Sequence, residues 1–226
     1  RIREICDRYG VLLILDEVMC GMGRTGHLFA CEAEGVVPDI LTIAKGLGAG
    51  YQPIGAMLCS AAIFDTIAHG SGFFQHGHTY IGHPVACAAG LAVLRAILKR
   101  GLVARVGEMG DRLDSALRDA FGQHPNVGDI RGRGLFRGLE IVADRGSQTP
   151  FDPGQAIAAR LKDAAFQAGL ICYPMRGTRD GREGDHILLA PPFVLEDGHI
   201  TEIIEKLAQV VAIGAIEEAG MNKQQP

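Results

Sequence analysis

The sequence predicts an α/β protein in two parts, and three observations predict it. In the first third, short apolar runs at Val11–Leu15, Asp39–Ala44 and Ile54–Ser60 alternate with glycine-rich turns. Continuous runs of this kind read as strands buried on both faces, the habit of a mostly parallel sheet. Helical periodicity then takes over at Val85–Arg100 and Val103–Phe121. Beyond residue 121, short strand candidates mix with two further helices, an α+β texture. The expected division lies near residue 103, giving parts 1–102 and 103–226.

Each element has a local reason. Arg1–Tyr9 reads as the end of an amphipathic helix, because Ile2, Ile5 and Cys6 fall at i, i+3, i+4. The chain starts at Arg1 rather than Met, so an upstream part is expected. A short helix is expected over Ala61–Ala68. His69–His83, rich in Gly, His and aromatic residues, should be a loop. Pro84 suits the first turn of the helix that follows, and Gly101 ends it. The next helix carries Val106, Met109, Leu113 and Leu117 on one face. Strands are expected at Val127–Ile130, Gly134–Val142, Gly169–Tyr173 and His186–Ala190, and helices near Pro153–Ala168 and Glu196–Ala219. Gly177–Gly184 is polar and turn-rich and should be an exposed loop. The tail Met221–Pro226 should fray.

Composition narrows the function classes. The chain has 226 residues, 47% hydrophobic and 21% charged, enough apolar material for a sizeable core. The net charge of -4 and pI near 6.1, with no basic run, argue against nucleic-acid binding. No apolar stretch in the first half is long enough to cross a membrane. The six cysteines are scattered, with no CxxC pair and no zinc spacing. They read as reduced thiols in a cytoplasmic protein.

The chemistry-bearing residues lie at the ends of the apolar runs. Asp16 and Glu17 directly follow Val11–Leu15, and the carboxyl edge of an open α/β sheet is where ligands bind. An ATPase strand also ends in Asp-Glu; it needs a phosphate loop GxxxxGK[ST], which is not in these residues and which an upstream part would have to hold, so this stays a third reading. Gly21-Met-Gly-Arg-Thr-Gly26 is dense enough in glycine to bring the backbone close to a ligand. Lys45 ends the second apolar run and enters the turn Gly46-Leu-Gly48. A lysine in an apolar, partly desolvated site loses its proton more easily and can attack a carbonyl. Lys45 follows Asp16 by 29 residues, so both can face one crevice. A pyridoxal-phosphate (PLP) enzyme needs this pair: a lysine for the imine and a carboxylate to keep the pyridine nitrogen protonated. Val18, two residues after Asp16, should point to the same side and pack on the ring.

Three strings in order, ILDEVMCGMGRTG, PDILTIAKGLGAGYQPIGA and HGHTYIGHPVACAAGLAVL, resemble the class III (fold type I) aminotransferases. Weaker similarity continues through Ile130–Leu135 and Ala190-Pro191-Pro192. The resemblance implies a PLP-transferase large domain, mostly parallel sheet with helices, followed by a small α+β domain. It implies that Asp16 binds the pyridine nitrogen, Val18 packs on the ring, and Lys45 holds the cofactor and then moves the proton. It implies that Thr79, in His78-Thr79-Tyr80, binds the phosphate of a neighbouring subunit's cofactor, so a homodimer with shared sites is expected. Family members are about twice as long, and their upstream half holds the phosphate cradle. The chain therefore resembles a C-terminal half, a fragment expected to bind PLP weakly or not at all and to be inactive by itself.

Substrate recognition is less legible. Where ornithine and 4-aminobutyrate aminotransferases have an arginine two residues before Ala-Pro-Pro, this chain has Leu188. Arg182 or Arg179, just before Gly184-Asp185-His186, is the candidate for holding a substrate carboxylate, since guanidinium offers a bidentate fork. The crowding of His76, His78 and His83 is explained by the same family loop, and no metal is expected. The leading function is transfer of an amino group from an amine or ω-amino acid to a 2-oxo acid. The alternatives are an aminomutase or decarboxylase of the same family, or a non-catalytic α/β fragment.

Overall fold

In the computed structural model, which describes residues 1–216, each of the three apolar runs of the first third contributes a short strand. The chain divides into one unit over Arg1–Val106 and a second from Gly107 onward.

The first unit opens with helix α1, Ile2–Tyr9, closed by Gly10 at φ 64°. Strand β1, Ile14–Asp16, pairs in parallel with β2, Ile40–Ile43. Asp39 anchors this pair from outside the strands: its Oδ2 accepts the Leu13 N–H and an Arg3 guanidinium N–H, both at 2.7 Å. Those two bonds hold the Asp39 carboxyl below its usual range. Strand β3, Ala56–Cys59, pairs antiparallel with β2, giving the order β1-β2-β3. Among the described residues this sheet thus holds one parallel and one antiparallel pair, in keeping with part of an α/β fold. The link from Ile43 to Ala56 holds only a 3-10 turn at Lys45–Leu47, too little helix for a parallel crossover.

Helix α2, Ala61–His69, starts at Ser60, whose hydroxyl accepts the Ile63 N–H. Residues 70–83 form the expected loop. Helix α3, Pro84–Lys99, has Pro84 in its first turn and His83 as cap, with Nδ1 accepting the Ala86 N–H. Burial in this unit departs from expectation. Val11, Leu12 and Ile14 are exposed, and only Leu13 of the first apolar run is buried. β1 is an edge strand with β2 as its sole partner among the described residues, so these side chains stay uncovered. No helix among the described residues is long and apolar enough to cross a membrane.

Helix α4, Leu102–Phe121, buries Val106, Met109, Leu113 and Leu117, as their spacing predicts. The second unit is built on a four-stranded antiparallel sheet. Its strands are β4 (Val127–Arg133), β5 (Phe136–Ile141), β6 (Tyr173–Arg179) and β7 (Glu183–Leu189), in the order β4-β5-β7-β6. Leu139 of β5 and Ile187 of β7 are fully buried with Leu207 and Val210 of helix α6, Asp197–Ile216. Helix α5, Ile157–Gln167, lacks a capping side chain at Ala156. Asp185 of β7 supplies the acceptor instead, taking the Ala158 N–H at 3.1 Å.

Most strands keep their expected place with ends shifted by a few residues; three differences have a plain physical reason. The strand expected at Gly169–Tyr173 begins only at Tyr173. The loop expected at Gly177–Gly184 is a hairpin, with β6 continuing to Arg179 and Arg179 pairing with Glu183. Gly177 and Gly184 take positive φ inside it, and the register shifts between Arg176 and Arg179. Glycine here builds an irregular ladder rather than ending one. The helix expected from Pro153 starts at Ile157, because Pro153–Gln155 is a 3-10 turn and Ala156 sits at φ 49°. Residues 217–219 of the last expected helix and the tail Met221–Pro226 lie outside the described residues.

Arg137, only 6% exposed, ties α4 to the β4–β5 hairpin. Its guanidinium donates to the Gly110, Gly132 and Gly134 carbonyls and to Asp114 Oδ1 at 2.8 Å. The approach of α4 depends on Gly110: a Cβ there would stand 2.4–2.5 Å from Gly134 backbone atoms. Backbone cannot rotate away as a side chain can. Gly110→Ala is expected to cost about 3 kcal/mol, as overpacking combined with a disturbed Arg137 network. Urea unfolding at about pH 7.5 measures it, and a loss under about 0.5 kcal/mol would contradict this packing.

Two histidines make stability depend on pH. Burial pushes His124 below its ordinary value. Burial, then the nearby Arg131 charge, does the same to His186. Both bind a proton more weakly folded than unfolded, so the unfolded chain gains protons first as pH drops below about 6.5. Stability is therefore expected to fall between about pH 7 and about pH 5.5. The fall should be smaller in the His124→Gln, His186→Gln double variant, as read from urea midpoints.

Candidate active site

The site begins with the register of the one parallel pair. Asp16, the last residue of β1, lies opposite Thr42 of β2. The Glu17 N–H donates to the Thr42 carbonyl at 2.9 Å, extending the ladder by one step. Three residues after Thr42 comes Lys45, first in the 3-10 turn Lys45–Leu47. Adjacent strands lie about 4.8 Å apart, so Asp16 and Lys45 emerge from neighbouring strands at one carboxyl edge. The Lys45 backbone has φ 38°, a left-handed conformation that costs a non-glycine residue about 1–3 kcal/mol and gathers at functional sites. Its carbonyl accepts the Gly48 and Ala49 N–H groups, which fix the turn.

Asp16 is exposed, and its Oδ1 accepts the Val18 N–H at 2.9 Å. That bond fixes the carboxylate and holds Val18 beside it. The alternation expected to carry Val18 to the same side does not apply, because the chain turns directly after Asp16; the Asx-type hydrogen bond does that work instead. Lys45 is exposed as well.

The remaining candidates belong to other elements. Thr79 sits exposed in the loop 70–83, in which the His76 ring stands 5.6 Å from Phe74 and, edge-on, 5.3 Å from His78. Arg179 and Arg182 belong to the second unit, exposed at the tip of the β6–β7 hairpin. Arg182 and Arg176 also border a cavity of about 190 Å³ beside the first turn of α5.

Glu17 was missed by sequence reasoning, which treated it only as the second acid at a strand end. It is 3% exposed. Its two carboxylate oxygens accept the Ala30 N–H at 2.6 Å and the Cys31 N–H at 2.8 Å. The available signal was Gly21 at i+4, where a Cβ would stand 2.7 Å from the Glu17 carbonyl. Burial, and then the bond and charge of Glu17, push the Cys31 thiol up to about 11. Burial alone pushes Arg24, in the same loop, down to about 10.

A primary amine and a fixed carboxylate at one sheet edge, with a valine held by the carboxylate's own turn, fit an aldehyde-bearing pyridine such as pyridoxal phosphate. Gly46 keeps the approach narrow: a Cβ there would touch Met22 Cβ at 3.0 Å.

Known proteins share this frame. The family model for aminotransferase class-III matches residues 1–211. A Gibberella zeae protein named as an aminotransferase is 47% identical over 93% of this chain and 42% of its own length. An uncharacterized aminotransferase of Bacillus subtilis is 44% identical over 94% of this chain and 48% of its own length. The crystal structure of a thermostable (S)-enantioselective omega-transaminase from Thermomicrobium roseum superposes with a TM-score of 0.86. It is 37% identical, over 93% of this chain and 45% of that one. The chain spans about half the length of the curated relatives it matches. Motif order, sheet-edge geometry and this likeness over nearly all its residues agree: the chain belongs to the class-III aminotransferase family.

Proposed function

We propose that the protein is a PLP-dependent transaminase that moves an amino group from an amine or ω-amino acid to a 2-oxo acid such as pyruvate or 2-oxoglutarate. The observation that supports this most is the parallel register that brings Asp16 and Lys45 to one edge. When bound, pyridoxal phosphate supplies an electrophilic aldehyde and an electron sink. Lys45 Nζ would hold the cofactor through its aldehyde and, once the substrate amine has displaced it, would be a free amine able to move a proton to and from the substrate. Asp16, with Oδ1 fixed by the Val18 N–H, would supply the carboxylate that accepts from the pyridine N–H and keeps that nitrogen protonated. Val18 packs on the ring face. Thr79 supplies a hydroxyl to the phosphate of a neighbouring subunit's cofactor, so the working unit is a homodimer. Arg182 or Arg179 pairs with a substrate carboxylate. Likeness to the omega-transaminase of Thermomicrobium roseum supports the amine side of this reading, and the reduced cysteines support a cytoplasmic setting.

Borohydride reduction of the full-length protein loaded with PLP, followed by peptide mapping, tests this. The expected label is on Lys45; a label on any other residue sinks it. Amino donor alone should release a free oxo product. Carbon dioxide in that half-reaction would favour the decarboxylating relatives.

A further inference from the structure

Glu17 is a buried carboxylate next to the cofactor-facing turn, and it meets two backbone N–H groups and the Cys31 thiol of its own chain. Burying a carboxylate is costly unless its oxygens are met. Here each oxygen takes a backbone N–H from the start of the 3-10 helix Ala30–Glu34. Both ends of the loop 18–29 are thereby drawn together beneath Asp16. The loop is closed within itself as well. The Gly21 N–H donates to the Glu17 carbonyl, Gly23 to Leu28, Arg24 to Gly21 and Gly26 to Gly23. Near its apex Met22 is 3% exposed, in left-handed conformation at φ 55°. Its Cβ stands where a Cβ on Gly46 would meet it at 3.0 Å, one residue from Lys45. Gly21 leaves no room for adjustment, since a Cβ there would stand 3.1 Å from Glu17 Oε2.

We infer that Glu17 is a positioning residue for the cofactor site. Its carboxylate clasps the loop 18–29, which holds the Asp16–Val18 turn on one side and presses Met22 against Gly46, and so against the Lys45 turn, on the other. The inference rests on the proposed cofactor reading and adds a residue to it. Glu17 touches neither cofactor nor substrate; it acts through Asp16, Val18 and Met22.

Glu17→Gln tests the clasp in the cofactor-loaded protein. Glutamine keeps the size and one acceptor but sets an amide N–H₂ against one of the two backbone N–H groups. The dissociation constant for pyridoxal phosphate should rise about tenfold or more, the scale seen when a supporting contact behind a cofactor or metal ligand is lost. Hydrogen exchange at Ala30, Cys31 and Gly21–Arg24 should quicken. The pH at which the bound cofactor's absorption band changes should move, because Asp16 and Lys45 are no longer held. Should Glu17→Gln fail to fold, Gly21→Ala is the second variant, expected to weaken binding in the same way by displacing the carboxylate. A lower unfolding midpoint with cofactor affinity and band both within about twofold of the parent would make Glu17 merely structural and overturn the inference. If the unsubstituted protein takes no borohydride label at Lys45, the cofactor reading itself fails and this inference falls with it. That outcome is distinct, because a failed clasp leaves the parent labelling normal.

Discussion

Lys45→Ala is expected to erase the borohydride-fixed label and to lower turnover by about a thousandfold or more, the scale on which removing a covalent catalytic group acts. The residue leaves the end of β2 at φ 38° and is exposed, so its side chain contributes little to packing. The substitution keeps the same non-glycine backbone strain. The unfolding free energy should therefore stay within about 0.5 kcal/mol of the parent. Loss of label and rate without loss of stability separates a reacting amine from a structural one. Lys45→Arg keeps the charge but not a nucleophilic amine and should be as inactive as the alanine variant. Turnover within about tenfold of the parent in either variant would remove Lys45 from the mechanism.

Asp16→Asn is expected to lower turnover by about a hundredfold or more, equivalent to about 3 kcal/mol at the transition state. Asparagine retains an Oδ1 able to accept the Val18 N–H, so the 2.9 Å bond that shapes this turn survives. Only the negative charge is removed, and with it the charge-assisted bond proposed to hold the ring nitrogen protonated. The loss should appear in the rate of the half-reaction with amine donor at saturating cofactor, with the urea midpoint unchanged. Asp16→Ala removes the turn's acceptor too and should also weaken cofactor binding. A rate for Asp16→Asn within about threefold of the parent would show that no buildup of charge on the ring depends on this carboxylate.

Legibility differed between the two units for a physical reason. In α4, Val106, Met109, Leu113 and Leu117 repeat at the helical period and are all buried, because a helix's own geometry gathers them on one stripe. Val11–Leu15 carries an equally plain apolar signal, yet Val11, Leu12 and Ile14 are exposed. An apolar run states what a strand would bury, not whether another segment lies against it. Gly177–Gly184 misled in the opposite sense. Its glycines and charges look like a loop, while the Arg179–Glu183 pairing carries the hairpin through them.

The amine and the carboxylate, each placed at the end of an apolar run, were readable locally, since a strand's end and a charge beside it are matters of adjacent residues. So was their resemblance to a family that uses both. That Asp16 stands opposite Thr42, that β3 runs antiparallel, and that Glu17 turns inward to close a loop on Ala30 and Cys31 were decided only by tertiary structure. Strand register and the burial of a lone carboxylate depend on hydrogen-bond partners distant in sequence, and no local pattern names a partner that the chain has yet to meet.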